Sequence, residues 1–163
     1  MHRCFTQPFV VVGALIEKNG KFLLVREGLP NRPDYGKWNQ PAGWLDLGED
    51  PIMGARREVE EETGYEFTPA AILSITSLVR EDVAEHFSSP PHALKIIFTG
   101  KINTDNPKKI HDDVTEVNWF SAEEIKVMSS KQLRDVDIKQ LVDQYLMGIR
   151  YPLEIIKHVV QEK

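Results

Sequence analysis

Residues 43–65 read GWLDLGEDPIMGARREVEEETGY, and within them REVEEETG (57–64) sets four glutamates into five positions. Local signals alone predict a helix here. Asp50 suits the N-cap, and Pro51 follows at the first helical position, where its missing N–H costs nothing. Ile52, Ala55 and Val59 share an arc that can pack on a sheet. Gly64 suits the left-handed residue that ends a helix. At about 100° per residue, Glu58, Glu61 and Glu62 fall at roughly 0°, −60° and +40°, whereas Glu60 sits at about 200°. Like charges at this spacing repel by a few tenths of a kcal/mol per pair. The C-terminal turn is also the negative end of the helix dipole. Two readings answer that cost: an acidic face solvated by water, or one that gathers cations. Gly54, four residues before Glu58, costs about 1 kcal/mol relative to alanine. Close backbone packing and clearance beside a metal both account for it. Upstream, WNQPAGWLDLGE (38–49) holds two glycines and a proline, as a tight strand–loop–helix connection requires.

The whole stretch resembles the box of the Nudix hydrolase family: Gly, five residues, Glu, seven residues, then Arg-Glu-apolar-any-Glu-Glu-any-Gly-apolar. Gly43, Glu49, Arg57, Glu58, Val59, Glu61, Glu62 and Gly64 meet the fixed positions, and Tyr65 stands where an aliphatic residue is usual. The resemblance implies that Glu58, Glu61 and Glu62 bind divalent cations, magnesium with manganese as the alternative, assisted by the Gly43 carbonyl. Hard oxygen ligands suit such ions beside substrate phosphates. It further implies that Arg57 orients Glu58, that Glu49 holds the loop or an outer-shell water, and that Glu58 is the first choice of general base. The implied fold is an α/β (α+β) sandwich, a mixed β-sheet between α-helices.

Composition agrees with one small enzyme. A chain of 163 residues, 41% hydrophobic, can bury a single core, and no linker divides it, so residues 1–163 are expected to form one domain. No signal-peptide pattern or membrane-spanning apolar run is present. The one cysteine, Cys4, cannot form an internal disulfide, which fits a cytoplasmic setting. A net charge of −5 argues against an extended nucleic-acid surface. The expected partner is a small phosphorylated molecule, and the expected state a monomer or homodimer.

Along the chain, FVVVGALIEKNGKFLLVRE (9–27) reads as two strands turning at Asn19-Gly20. Strands are predicted at 71–79, 93–102 and 116–120. Ser121 and Glu124 form a capping box, residues 134–147 suit an amphipathic helix, and a last helix is expected from Pro152 through Val160.

GKWNQPAG (36–43) and GIRYPLEII (148–156) are similar to one bacterial branch of the family. That branch removes phosphate from nucleoside di- and triphosphates and from the pyrophosphate ester of the thiamine pyrimidine. Family likeness makes Asn39 a reader of a base edge, with a turn residue as the plain alternative. Trp38 is a stacking or a core residue. Arg26, Lys37 and Arg80 are phosphate-binding candidates or surface charges. In the long segment 80–92, His86, Phe87 and His92 are candidates to border a pocket. Among Asp112, Asp113 and Glu116, Glu116 is the candidate for one further carboxylate. Other expected activities are pyrophosphohydrolysis of ADP-ribose, a nucleotide sugar or an oxidised nucleoside triphosphate, and, in a different class, nucleotide sensing without turnover.

Overall fold

The computed structural model describes residues 7–162, so Cys4 lies outside the described residues. Strand β1 (Phe9–Ala14) belongs to one sheet, and the chain then enters a second sheet as β2 (Glu17–Lys18). Asn19 and Gly20 have φ of 54° and 78°, and this two-residue turn leads into β3 (Lys21–Glu27). The sequence predicts one unbroken strand before that turn. The break arises because Leu15 and Ile16 serve different sheets: Leu15 N–H donates to Phe98 O (2.9 Å), while Ile16 O accepts from Leu23 N–H (3.0 Å). Their side chains enter different cores.

Strands β4 (Trp38–Asn39) and β5 (Ala42–Trp44) precede helix α1 (Pro51–Thr63). Then come β6 (Glu66–Val79), β7 (His92–Asn103), β8 (Val114–Ser121), α2 (Ala122–Val127) and α3 (Ile138–Leu146). The first sheet runs β5-β1-β7-β6 and is mixed, with β1 parallel to β7. In the second, β3 pairs with β2, β4 and β8. One core, built on Val12, Ala55, Val59 and Phe98, lies under α1. The other, built on Leu24, Leu73, Ile97 and Leu141, lies under α2 and α3. Sheets between two helical layers are the arrangement expected from the family likeness.

Both ends of α1 follow the sequence reading. The Asp50 side chain accepts from Ile52 N–H (2.8 Å), and Gly64, at φ 75°, donates its N–H to Glu60 O. The Ser121–Glu124 capping box is formed reciprocally. Two helical expectations are corrected. Helix α3 begins at Ile138 rather than 134, because Arg134 N–H donates to Trp38 O (2.9 Å) in a bridge between Leu133 and β4, while Asp135 and Asp137 pair with the buried Lys95. After Pro152 there is only a 3-10 turn, Leu153–Ile155. Tyr151 exchanges backbone hydrogen bonds with Ile72 (2.9 Å each way), and Leu153 and Ile156 dock on the core under α1. That anchoring pins the chain on both sides of the short turn. Among the described residues no helix is long and apolar enough to cross a membrane.

Candidate active site

Helix α1 presents its acidic face to a cavity of about 320 Å³. Glu58, Glu61 and Glu62 line it, whereas Glu60 points away and pairs with Lys108 at 2.5 Å. The single-face geometry predicted from spacing is therefore realised. Gly43, on β5, also lines the cavity, and a Cβ there would overlap the Glu58 carboxylate. Only glycine lets the strand backbone come this close to the helix. At Gly54 a Cβ would meet Glu49, Leu45 and Val12 at 2.9–3.0 Å, so close packing against the preceding loop and β1 explains that residue.

Arg57 ties the loop to the helix. Its Nε and Nη2 donate to the two oxygens of Glu49 (2.8 and 2.9 Å), and Nη2 also donates to Trp44 O (3.1 Å). Its Nη1 donates to Glu58 Oε1 (2.7 Å) and Glu61 Oε2 (3.2 Å). Glu49 in turn accepts from Asp46 N–H (3.0 Å). Such charge-assisted, bidentate bonds fix orientation as well as energy. They hold the Glu49 carboxyl below its ordinary range, the Arg57 hydrogen bond being the largest cause.

The other carboxyls shift upward. Burial raises Glu58, opposed by Arg57 and reinforced by the charges of Glu61 and Asp113. Burial raises Glu62 well above the usual value, with the Glu27 charge adding to it and the Ala42 N–H bond (2.8 Å) opposing. Glu27 is itself raised by burial against the pull of Arg134. Its place is set by a register shift between Arg26 and Glu27 in the β3–β8 pairing, which turns the last residue of β3 inward.

A divalent cation, implied by the family, can be tested against these groups. The donors are all hard oxygens, three carboxylates and the Gly43 carbonyl, and the missing Cβ leaves strand and helix in contact around them. Among the described residues no three acidic, histidine or cysteine side chains already enclose one point, since Glu58 and Glu61 turn toward Arg57. The donor chemistry fits, and the geometry calls for side-chain rotation about Glu58 and Glu61.

Beyond α1 the cavity wall is rich in charge, and apart from Arg80, a phosphate-binding candidate that is buried here among carboxylates, the sequence reading assigned none of it. Arg80 donates to Asp34 (2.9 Å), Asp82 (2.8 Å) and Asp135 (3.1 Å). Lys95 Nζ donates to Asp135 (2.6 Å) and Asp137 (3.0 Å), and Arg134 donates to Glu27 (2.8 Å). A visible signal did exist: Lys95 interrupts the apolar run ALKIIF on β7. Its partners are about forty residues away, so their pairing was not readable.

Asn39, 2% exposed, lines the cavity, as do Asp113 and Phe87. The remaining candidates are placed elsewhere. Trp38 packs edge-on against Phe120 (4.8 Å between ring centroids), with the Arg26 guanidinium over its ring. Arg26 pairs with Glu116 (3.4 Å) outside the cavity lining, and Lys37 pairs with Asp34 (3.6 Å). His86 faces Glu85, and His92 meets Ser77 Oγ (2.8 Å).

With this geometry in view, the comparisons with known proteins are specific. The NUDIX domain model matches residues 7–143, and the chain belongs to that family. Among its relatives, the phosphatase NudJ of Escherichia coli (strain K12) is 32% identical over 151 residues, covering 92% of this chain and 91% of that protein. A solved Nudix hydrolase from Nitrosomonas europaea is 34% identical, with a TM-score of 0.82 over 94% of this chain and 98% of that one. A solved MutT protein from Methanosarcina mazei Go1 is 26% identical, with a TM-score of 0.70 over 88% and 97% of the respective chains.

Proposed function

We propose that this protein is a magnesium-dependent phosphatase that hydrolyses a phosphoanhydride bond in a nucleoside di- or triphosphate, or a related pyrophosphate ester, releasing orthophosphate. One observation carries the reading: Glu58, Glu61 and Glu62 converge on a cavity whose lining holds seven carboxylates against four cationic side chains. A polyanionic substrate is repelled by such a wall unless divalent cations accompany it. The likeness to the phosphatase NudJ supports the terminal-phosphate specificity.

The three glutamates and the Gly43 carbonyl would hold magnesium, or manganese in its stead. The ion supplies charge neutralisation of the diphosphate and a water of lowered pKa. The protein does the rest. Glu58 takes the proton of the attacking water at its carboxylate. Arg57 holds Glu58 beside the cavity through one carboxylate oxygen and, through Glu49, secures the loop that carries Gly43 toward the helix. Glu62 keeps that loop against α1 by accepting from Ala42 N–H. The apolar walls from Phe9, Leu78 and Phe87 shield the reacting bond from bulk water.

The test is a substrate panel with magnesium in which orthophosphate and pyrophosphate are scored separately. Stepwise orthophosphate release from triphosphate to monophosphate is expected. Direct pyrophosphate release, or turnover confined to ADP-ribose or nucleotide sugars, would move the protein to a pyrophosphohydrolase reading. Binding without turnover across the panel would make it a sensor.

A further inference from the structure

The register of the first sheet lays two rungs of side chains along the cavity. Phe9, Ala93 and Leu78 form one, and Trp44, Val11 and Lys95 the other. Five of these six are apolar and one is a lysine, 1% exposed, in the middle of β7. Burying an ammonium is costly unless it is fully paired. An ammonium has three N–H donors. Asp135 and Asp137 take two, at 2.6 and 3.0 Å, and among the described residues no hydrogen bond occupies the third. A second, independent feature lines the same cavity: Asn39 Oδ1 is buried with no hydrogen-bond partner. Apart from Arg134 Nε, which lies 3.3 Å from Asp34 without a hydrogen bond, the walls thus hold one donor and one acceptor that the protein does not satisfy. Neither belongs to the glutamate face of α1.

We propose that Lys95 is a specificity-determining residue whose third N–H donates to an acceptor atom on the organic group of the substrate, beside Asn39, whose base-edge role the family likeness already implies. This rests on the phosphatase reading and narrows its substrate class. The favoured compounds are pyrophosphate esters with a planar polar group carrying acceptor and donor along one edge, as nucleobases do. A diphosphate with a purely apolar tail leaves both protein groups unpaired, and sites of this kind reject such analogues strongly.

The test uses the double variant Lys95→Met, Asp137→Asn, which removes one charge of each sign. Asp135 keeps Arg80 at 3.1 Å and Arg134 at 3.8 Å, so no buried charge is left alone. Steady-state kinetics with magnesium on the four nucleoside triphosphates and dimethylallyl diphosphate give KM and kcat for each. In the wild type the best nucleotide should exceed the worst, and exceed dimethylallyl diphosphate, by about tenfold or more in kcat/KM. In the double variant that preference should shrink by about tenfold, through KM, with kcat held within a few-fold. A wild type without preference, or a variant that keeps it, overturns the assignment. If near-UV circular dichroism shows the double variant unfolded, Lys95→Arg replaces it, since both ion pairs survive while the reach of the donor changes. The order of KM among nucleotides should then change, and an unchanged order overturns the proposal. A wild type that turns over none of these compounds with magnesium instead overturns the parent reading.

Discussion

Glu60 and Glu61 are adjacent in sequence but about 100° apart around α1, and only Glu61 lies on the cavity face. Glu61 lines the cavity beside Arg57, while Glu60 makes a surface pair with Lys108. Exposed pairs of that kind contribute little. Glu61→Gln keeps the shape but weakens a charge that the proposed reaction needs, and losing one such electrostatic partner costs about 10²-fold or more in rate. Glu60→Gln should change turnover by less than about twofold and stability by less than about 0.5 kcal/mol. Both variants should be assayed together for magnesium-dependent turnover and metal-free melting temperature. Equal losses would contradict the division of faces. Gly43→Ala is the complementary change on the strand side. Its Cβ has nowhere to go except into the Glu58 carboxylate, and displacing a reacting group by about 1 Å can cost on the order of 10²-fold. The variant should therefore fold yet lose most of its turnover, and retained activity would show that Glu58 need not sit against β5.

The elements differ in how openly the sequence announces them. Helix α1 was legible to within a residue at both ends, because its punctuation is local: an aspartate before a proline at one end and a glycine at the other. Asp50→Ala should test that directly. It frees Ile52 N–H from its cap, a loss of about 1 kcal/mol, or roughly 2–4 °C in melting temperature for a chain of this size. The magnesium-dependent rate of the folded protein should be unchanged. Where the structure departs from the sequence reading, a distant partner has overruled local preference. Helix α3 starts late because Asp135 and Asp137 answer a lysine on β7. The helix expected after Pro152 shrinks to one 3-10 turn because Ile72 on β6 takes the backbone of Tyr151 just before it and Leu153 and Ile156 dock on the core. The same division holds in the candidate site. The box glutamates share one stretch of helix, so their face could be read from spacing. Glu27, Lys95 and Asp135 come from three separate elements and meet only through the topology of the sheets.

Across the whole molecule, two groups of carboxyls are set against each other by pH. Glu58 and Glu62, lifted mainly by burial, hold protons more tightly in the folded chain than in the unfolded one, where such a group titrates near about 4.3. Their contribution to stability is complete below that value and is lost as pH rises through their folded pKa values. Asp135 behaves oppositely. Burial would raise it, but the attraction of Lys95 and Arg134 prevails and its pKa falls. Its contribution is present above about pH 3.9, the unfolded value, and is lost as pH falls through the folded one. The metal-free protein should therefore melt higher near pH 5 than at pH 7.5, and lower again below about pH 4. Glu62→Gln removes a titrating group from the first limb without touching the second. Its melting temperature should vary less between pH 5 and 7.5 than that of the wild type, while the loss below pH 4 remains. Saturating magnesium should act on the same limb, because an ion that binds ionised carboxylates stabilises the folded chain most where protons no longer compete. Melting curves of both proteins across this range, with and without magnesium, decide the matter. A wild type whose metal-free stability rises steadily from pH 5 to 7.5, with Glu62→Gln following the same slope, would show that these glutamates are not held against their charge by the fold.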